Sequence, residues 1–341
     1  MEGYNVAIVG ATGLVGQEFI RCLEQRQFPM QSVHLLASDR SAGRKLFVNH
    51  QEIEVKETIP ESFEGIDIAL FSAGAEISRY FSPIAADSGV VVVDNSSAFR
   101  MDPNVPLVVP EVNPDDIKWH KGIIANPNCS TIQMVVALWP LHKVNPIKRI
   151  IVDTYQSVSG TGSAAVEELT TQAKQVLDGQ NTVSHVYPHQ IAFNVLPEID
   201  VFLDNGYTKE EWKMVEETRK IMHAENLPIS ATCVRVPVFI GHSEAVHIEF
   251  SRSMPPEEAR QILMQASGVK VLDDPTISLY PQPWIASGTD ECFVGRIRQD
   301  ASHPNSLSMW IVADNLRKGA ALNAVQIAEE MTKRGWLSPG G

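Results

Sequence analysis

The sequence predicts an α/β protein of two domains, the first built on a parallel sheet and the second on a mixed one. Three observations carry this. The chain has 341 residues, of which 44% are hydrophobic, enough for two cores and long for one compact domain. Its N-terminus reads as strand, glycine-rich turn and helix, and further apolar strands separated by helical or loop segments follow. Beyond Asn126-Pro127-Asn128 the strands become longer and more alternating, which suits a mixed or antiparallel sheet.

Taken in order, residues Tyr4 to Val9 form a short apolar strand that ends on Gly10-Ala11-Thr12-Gly13-Leu14-Val15-Gly16. An amphipathic helix follows with Phe19, Ile20 and Leu23 on one face. Val33 to Ala37, Ile66 to Phe71 and Val90 to Val93 supply three more strands, and strands joined through helices imply parallel pairing. In the second half, Ile150 to Tyr155, Ser230 to Val238 and Ala245 to Phe250 are strands, with a polar helix from Thr208 to Ala224 between the first two. A closing helix from Leu316 to Lys333 carries Ala320, Leu322, Val325, Ile327 and Met331 at recurring apolar positions and is expected to return to the first domain. The first domain is therefore residues 1–127, completed by about 316–341, and the second is 128–315. Disorder is expected, if anywhere, at the Ser338-Pro339-Gly340-Gly341 tail.

A formal net charge of −13 argues against a nucleic-acid partner, although a few Arg and Lys gathered in one cleft can still bind an anionic small molecule. No signal peptide is evident, and no apolar run reaches the roughly 18 residues of a membrane span, so a cytoplasmic protein with no membrane partner is expected. Cys22, Cys129, Cys233 and Cys292 lie far apart without a CxxC pair, and the histidines show no ligand spacing; no metal and no disulfide framework is expected.

Glycines at 10, 13 and 16 would let backbone N–H groups and a helix N-terminus close on a pyrophosphate. The spacing is GxxGxxG, a variant of the dinucleotide fingerprint, and an ordinary turn is the alternative. At the end of the second strand stands Ala37-Ser38-Asp39-Arg40-Ser41. Asp39 is the feature that would select NAD, whereas Arg40 with two hydroxyls suits a 2′-phosphate, and with Asp39 turned to solvent the balance favours NADP.

Cys129 follows Asn126-Pro127-Asn128 and precedes an apolar helical run, which places it at a helix N-terminus. There the N–H groups and dipole favour a thiolate and can also hold an oxyanion, two requirements of acyl chemistry. His242 lies between two strand-like segments, where a loop would present an imidazole able to act as general acid and base. Spacing alone does not pair it with Cys129; a packed cysteine and a structural histidine are the plainer readings of each.

The runs GATGLVG at 10–16, DNSSAFR at 94–100, NPNCSTIQ at 126–133, QSVSGTG at 156–162, RVPVFIGHSE at 235–244, FVGRIR at 293–298 and ADNLRKGAALNAVQIAE near the end occur in order along the whole chain. Together they resemble the aspartate-semialdehyde dehydrogenase family. The resemblance implies a fold similar to that of glyceraldehyde-3-phosphate dehydrogenase, a Rossmann-type domain binding NADP plus a substrate and dimerisation domain. It implies reductive dephosphorylation of 4-phospho-L-aspartate to L-aspartate 4-semialdehyde through a Cys thioacyl intermediate, a step toward diaminopimelate and lysine, methionine, threonine and isoleucine. Cys129 matches the family nucleophile, His242 its acid/base and Gln156 the side chain that orients the substrate near the sulfur. Arg235 matches the substrate carboxylate ligand, Glu210 the partner of its amino group, and Arg100 and Lys213 the ligands of inorganic phosphate. Ser38, Arg40, Ser41, Ser159, Gly160 and Asn315 match cofactor contacts, and a homodimer is the implied assembly. The rival enzyme, N-acetyl-γ-glutamyl-phosphate reductase, has no amino group for Glu210 to meet. An inactive NADP-binding scaffold would not need Cys129, Gln156 and His242 together.

Overall fold

The structure, a computed structural model, describes residues 3–337; the Ser338-Pro339-Gly340-Gly341 tail lies outside them. The chain divides into two compact units, one running to Asn128 and resuming at Ala320, the other Cys129–Gly319.

The first unit is a six-stranded sheet covered on both faces. Its strands are β1 (Tyr4–Val9), β2 (Met30–Ala37), β5 (Lys56–Glu57), β6 (Ile68–Phe71), β7 (Val91–Asp94) and β8 (Ile123–Ala125), after a separate hairpin of β3 (Lys45–Val48) and β4 (Gln51–Glu54) is set aside. The order β5-β2-β1-β6-β7-β8 is parallel throughout. Side chains alternate across β1: Val6 and Ile8 join Phe19 and Leu23 of α1 (Leu14–Gln25) and Val325 and Met331 of the closing helix Leu322–Lys333. Ala7 and Val9 join Phe63, Phe71 and Ala85 on the other face, where α2 (Ala75–Asp87) lies. Burial on both faces explains why these strands read as continuous apolar runs. The hairpin and β5 differ from the expectation: β4 and β5 are mostly charged, β3 is Lys-Leu-Phe-Val, and strands of two to four mostly exposed residues are too short to show a pattern. The expected strands shift by up to three residues at their starts, because pairing with a neighbour, not composition, sets where a strand begins.

The second unit opens with α3 (Cys129–Val144), followed by β9 (Ile147–Gln156), α4 (Ser163–Leu177), α5 (Lys209–Ile221), β10 (Ile229–Arg235), β11 (His242–Phe250), α6 (Pro256–Met264), β12 (Val269–Val271), α7 (Pro283–Ala286), β13 (Cys292–Gln299) and β14 (Ser306–Ala313). Its sheet has the order β10-β9-β11-β14-β13-β12, with β9/β10 and β12/β13 parallel and the other pairs antiparallel. Helix α3 is buried on nearly every side from Ser130 to Leu138, as its largely apolar sequence requires, with Ser130, Thr131 and Gln133 as the polar residues it buries. Helix α5 begins with a capping box in which Thr208 accepts from the Glu211 N–H and Glu211 accepts from the Thr208 N–H.

Three expectations are corrected. His242 is not in a loop but is the first residue of β11, because Gly241 turns the chain at φ +96° and releases it straight into the ladder. The strand expected to reach Val238 stops at Arg235, before Pro237, which has no N–H to continue the pairing. The closing element is not one α-helix from Leu316: a π-helical turn, Arg317–Ala321, precedes Leu322–Lys333. Among the described residues no helix is long and apolar enough to cross a membrane, and no group of His, Cys, Asp or Glu is placed to hold a metal ion.

Candidate active site

Strand register assembles the site in the second unit. On the inner face, Arg235 of β10 pairs with Gln156 of β9. The antiparallel ladder that runs Glu244↔Thr154 ends at Ser243↔Tyr155, which brings His242, the next residue of β11, to the level of Gln156 and within 3.0 Å of the Ser157 N–H. Arg235, Gln156 and His242 thus form one row at the end of the sheet, and all three are buried.

Cys129 is the first residue of α3 and half-buried, whereas the other three cysteines are buried. Its neighbour Ser130 accepts a hydrogen bond from Gln156 Nε2 at 2.6 Å, which ties the start of the helix to the sheet row. Gln156 Nε2 also lies 3.3 Å from Glu210 Oε1, and Gln156 Oε1 has no hydrogen-bond partner. Gly319 packs on the other side of the cysteine: a Cβ there would stand 2.9 Å from Cys129 Cβ, so the π-helical turn holds a glycine where nothing larger fits.

Glu210 and Lys213, expected on a polar helix, are on the buried side of α5. Lys213 Nζ donates to Glu210 Oε2 and to Asp200 Oδ2, both at 3.0 Å. Burial works to lower its pKa, but the two carboxylates outweigh it and the net shift is upward, so Lys213 stays charged. Two of its three N–H donors are accounted for by these bonds.

The His242 ring is fully enclosed, and the Ser157 N–H donates to Nδ1 at 3.0 Å. A backbone donor on Nδ1 fixes the neutral ring with its proton on Nε2, which has no partner in the protein. Burial, helped by the Arg235 guanidinium, lowers the pKa of His242 to about 3, so the imidazole is neutral at ordinary pH. Arg235 is held by Nη1 donating to the Ser157 carbonyl at 2.6 Å and by the Tyr187 ring 6.0 Å away, while its Nε has no partner. Gly160, in the short turn Val158–Thr161, leaves the space between them open: a Cβ there would stand 3.2 Å from Arg235 Nη1 and 3.3 Å from His242 Nε2. Asn315 accepts from Ser157 Oγ, from Ser159 Oγ and from the Gly241 N–H, holding the turns on both sides of the imidazole. Ser157, Ser130, Tyr187, Asp200 and Gly319 were not singled out from the sequence. Ser157, Ser130 and Gly319 each carry a signal, lying inside the runs 156–162, 126–133 and 313–329, whereas Tyr187 and Asp200 lie in none.

The first unit holds the glycine loop. Gly10 has φ +86°, and a Cβ on it would lie 2.3 Å from the Ser72 carbonyl oxygen. Helix α1 begins at Leu14 with no side-chain cap and no acid in its first turn, leaving its N-terminal N–H groups to meet an anion. Gly10, Thr12, Gly13, Ala37, Ser38, Asp39 and Arg40 line a cavity of about 620 Å³. Ala11 and Gly16 are buried behind the loop, Leu14 and Val15 continue into the helix, and Ser41 lies 3.4 Å from Thr12 Oγ1. Asp39 Oδ1 accepts from the N–H of Arg40. These residues fit a dinucleotide. Arg100, also in this unit, is buried, with Nε donating to the Asn126 carbonyl and Nη2 to the Asn95 carbonyl.

Comparison with known proteins agrees with this reading. Residues 5–120 match the family model described as semialdehyde dehydrogenase, NAD binding domain, and residues 138–318 match semialdehyde dehydrogenase, dimerisation domain. The chain belongs to the semialdehyde dehydrogenase family. Within it, the chain is 58% identical to an aspartate-semialdehyde dehydrogenase of Aquifex aeolicus, over 98% of this chain and 100% of that protein. The structure of aspartate semialdehyde dehydrogenase II from Vibrio cholerae, complexed with ASA, superposes with a TM-score of 0.94 at 47% identity, covering 98% of this chain and 99% of that one. A more distant aspartate semialdehyde dehydrogenase structure, from Candida albicans with NADP, has a TM-score of 0.78 at 27% identity, covering 98% and 99% of the two chains.

Proposed function

We propose that the chain catalyses the NADPH-dependent reductive dephosphorylation of 4-phospho-L-aspartate to L-aspartate 4-semialdehyde, acting as an aspartate-semialdehyde dehydrogenase. The observation that supports it best is the buried row Arg235, Gln156 and His242 bonded through Ser130 to a helix that begins at a half-buried cysteine.

Arg235 offers its Nε edge to the α-carboxylate of the substrate, and the buried Glu210 carboxylate, held by Gln156 and Lys213, receives the α-ammonium. These two grips leave the acyl carbon to Cys129. The sulfur attacks that carbon and phosphate departs, which forms a thioester; Arg100 and Lys213 stabilise the leaving phosphate, Lys213 with its third N–H. NADPH, when bound, supplies the hydride that reduces the thioester carbon. Gln156 orients the substrate beside the sulfur, the positive end of the α3 dipole favours the developing oxyanion, and His242 directs its Nε2 proton at that oxygen. Collapse of the hemithioacetal expels the sulfur and leaves the aldehyde.

Gly10 to Gly16, that is Gly10, Ala11, Thr12, Gly13, Leu14, Val15 and Gly16, would hold the cofactor pyrophosphate. Ser38, Arg40 and Ser41 would meet the 2′-phosphate, and Ser159, Gly160 and Asn315 would lie against the nicotinamide half. Residues 1–127 with about 316–341 form the NADP-binding domain, and 128–315 the catalytic and dimerisation domain. The enzyme works as a cytoplasmic homodimer on a small-molecule substrate and inorganic phosphate.

The test is phosphate-dependent reduction of NADP and of NAD with L-aspartate 4-semialdehyde, by the native chain and by Cys129→Ala. Turnover preferring NADP and abolished in the variant is expected. Turnover only with the N-acetylated, one-carbon-longer semialdehyde would assign the rival reductase, and turnover surviving Cys129→Ala would remove the nucleophile assignment.

A further inference from the structure

The sheet row beneath the catalytic one is also polar, and the proposed reaction makes no use of it. Register places Cys233, Thr154 and Glu244 side by side on β10, β9 and β11. All are buried, and the following row, Ala231, Val152, Val246 and Met309, is apolar. Above this polar row lies Gln133, four residues after Cys129 on α3 and hence one turn further along the same face. Both carboxyl oxygens of Glu244, both polar atoms of the Gln133 amide and Thr154 Oγ1 are enclosed with no well-formed hydrogen bond, although Gln133 is the side chain that faces the carboxyl. Buried polar groups with no other recourse satisfy one another.

We propose that Glu244 is a positioning residue that ties the helix of Cys129 to the strand of His242 through the side chain of Gln133. This rests on reading Cys129 and His242 as the catalytic pair. Glu244 follows His242 by two residues, on the same face of β11, so the link fixes both ends of the reacting geometry within one turn of helix and one step of strand. Burial pushes the Glu244 carboxyl well above the usual carboxylate range, so it is a neutral acid that can donate its proton to Gln133 Oε1. The charged and titratable groups around the layer are His242 and Arg235 in the row above, Cys233 beside Thr154, and Glu210 and Glu211 of α5, and the desolvation of the carboxyl outweighs them all.

The experiment measures kcat and KM for Glu244→Ala, Glu244→Gln, Gln133→Ala and the Glu244→Ala/Gln133→Ala double variant, with thermal unfolding of each and Cys129→Ala in parallel. Glu244→Ala should lower kcat about tenfold with KM for the semialdehyde changed less than about twofold, and the double variant should be no worse than the poorer single one. Glu244→Gln, a neutral donor of the same shape, should recover most of the lost kcat. Should Glu244→Ala not fold, Gln133→Ala and Glu244→Gln carry the same comparison. Equal damage from Gln and Ala, additive losses in the double variant, or a lowered melting temperature with unchanged kcat would each overturn the proposal. If Cys129→Ala keeps turnover, the catalytic reading itself fails; if that variant is dead and the Glu244 and Gln133 variants are normal, only this inference does.

Discussion

Four thiols in one chain behave differently because each meets a different medium. Cys129 starts a helix and is half-buried, so its sulfur lies at the positive end of the helix dipole and can reach an incoming reagent. Cys22, Cys233 and Cys292 are buried. Burial, reinforced by the charge of Glu210, pushes the Cys233 thiol well above its ordinary range, which suppresses the thiolate that an alkylating agent needs. Iodoacetamide under native conditions should therefore modify a single site, Cys129, with activity lost in step, and saturating substrate should slow both. Peptide mass spectrometry after partial inactivation checks this. Early label on Cys233 or Cys292 would mean that the enclosure of the second unit opens far more readily than its packing implies.

At the scale of one strand, β11 carries two groups whose folded states resist titration in opposite directions. His242 falls from 6.5 to about 3 on folding. As pH drops below 6.5 the unfolded chain takes up a proton that the folded one refuses, so stability is lost progressively toward pH 3. Glu244 is the reverse: its folded pKa is raised, so as pH climbs above the ordinary carboxylate range the unfolded chain releases a proton that the folded one retains, and stability falls toward the folded value. Urea midpoints measured from mildly acidic to mildly alkaline buffer should describe a dome, with His242→Asn flattening its acid limb and Glu244→Gln its alkaline limb. An alkaline limb unchanged by Glu244→Gln would show that the carboxyl is ionised in the folded protein. The strand also shows where the sequence was legible. Its alternation from Ala245 onward marks a strand with one buried face, and the glycine loop and the start of α3 were equally plain because glycines and an apolar helix leave local marks. That His242 and Glu244 lie on the inner face beside Gln156 and Thr154 depends on register between strands almost a hundred residues apart in sequence, which no local pattern encodes. Glu210 and Lys213 were hidden for the same reason: a charged helix reads as solvated until its buried partners are known.

For the molecule as a whole, the sheet of the second unit poses a question that its inner face does not answer. The inner face is filled by α3 and the catalytic row, but the alternation that turns Gln156 inward turns Tyr155 outward. Tyr155 remains 39% exposed, its ring 5.3 Å from that of Trp310, and Ala245, Tyr280, Trp310, Arg296 and Arg298 are among the residues lining a cavity of about 450 Å³ on the same sheet. Trp284 nearby in sequence is 91% exposed. Aromatic groups gathered on an open sheet face suit a surface that a partner covers, and the matching family model for this half of the chain is a dimerisation domain. A carboxylate placed on that face would lose its hydration wherever a partner covers it, at a cost of several kcal/mol, and would be harmless in a solvated monomer. Tyr155→Glu should accordingly sediment as a monomer at concentrations where the native chain is a dimer, with a lower melting temperature and an unaltered fold by circular dichroism. Retention of the dimer by this variant would place the contact on another surface of the second unit and leave the exposed aromatic face without a role.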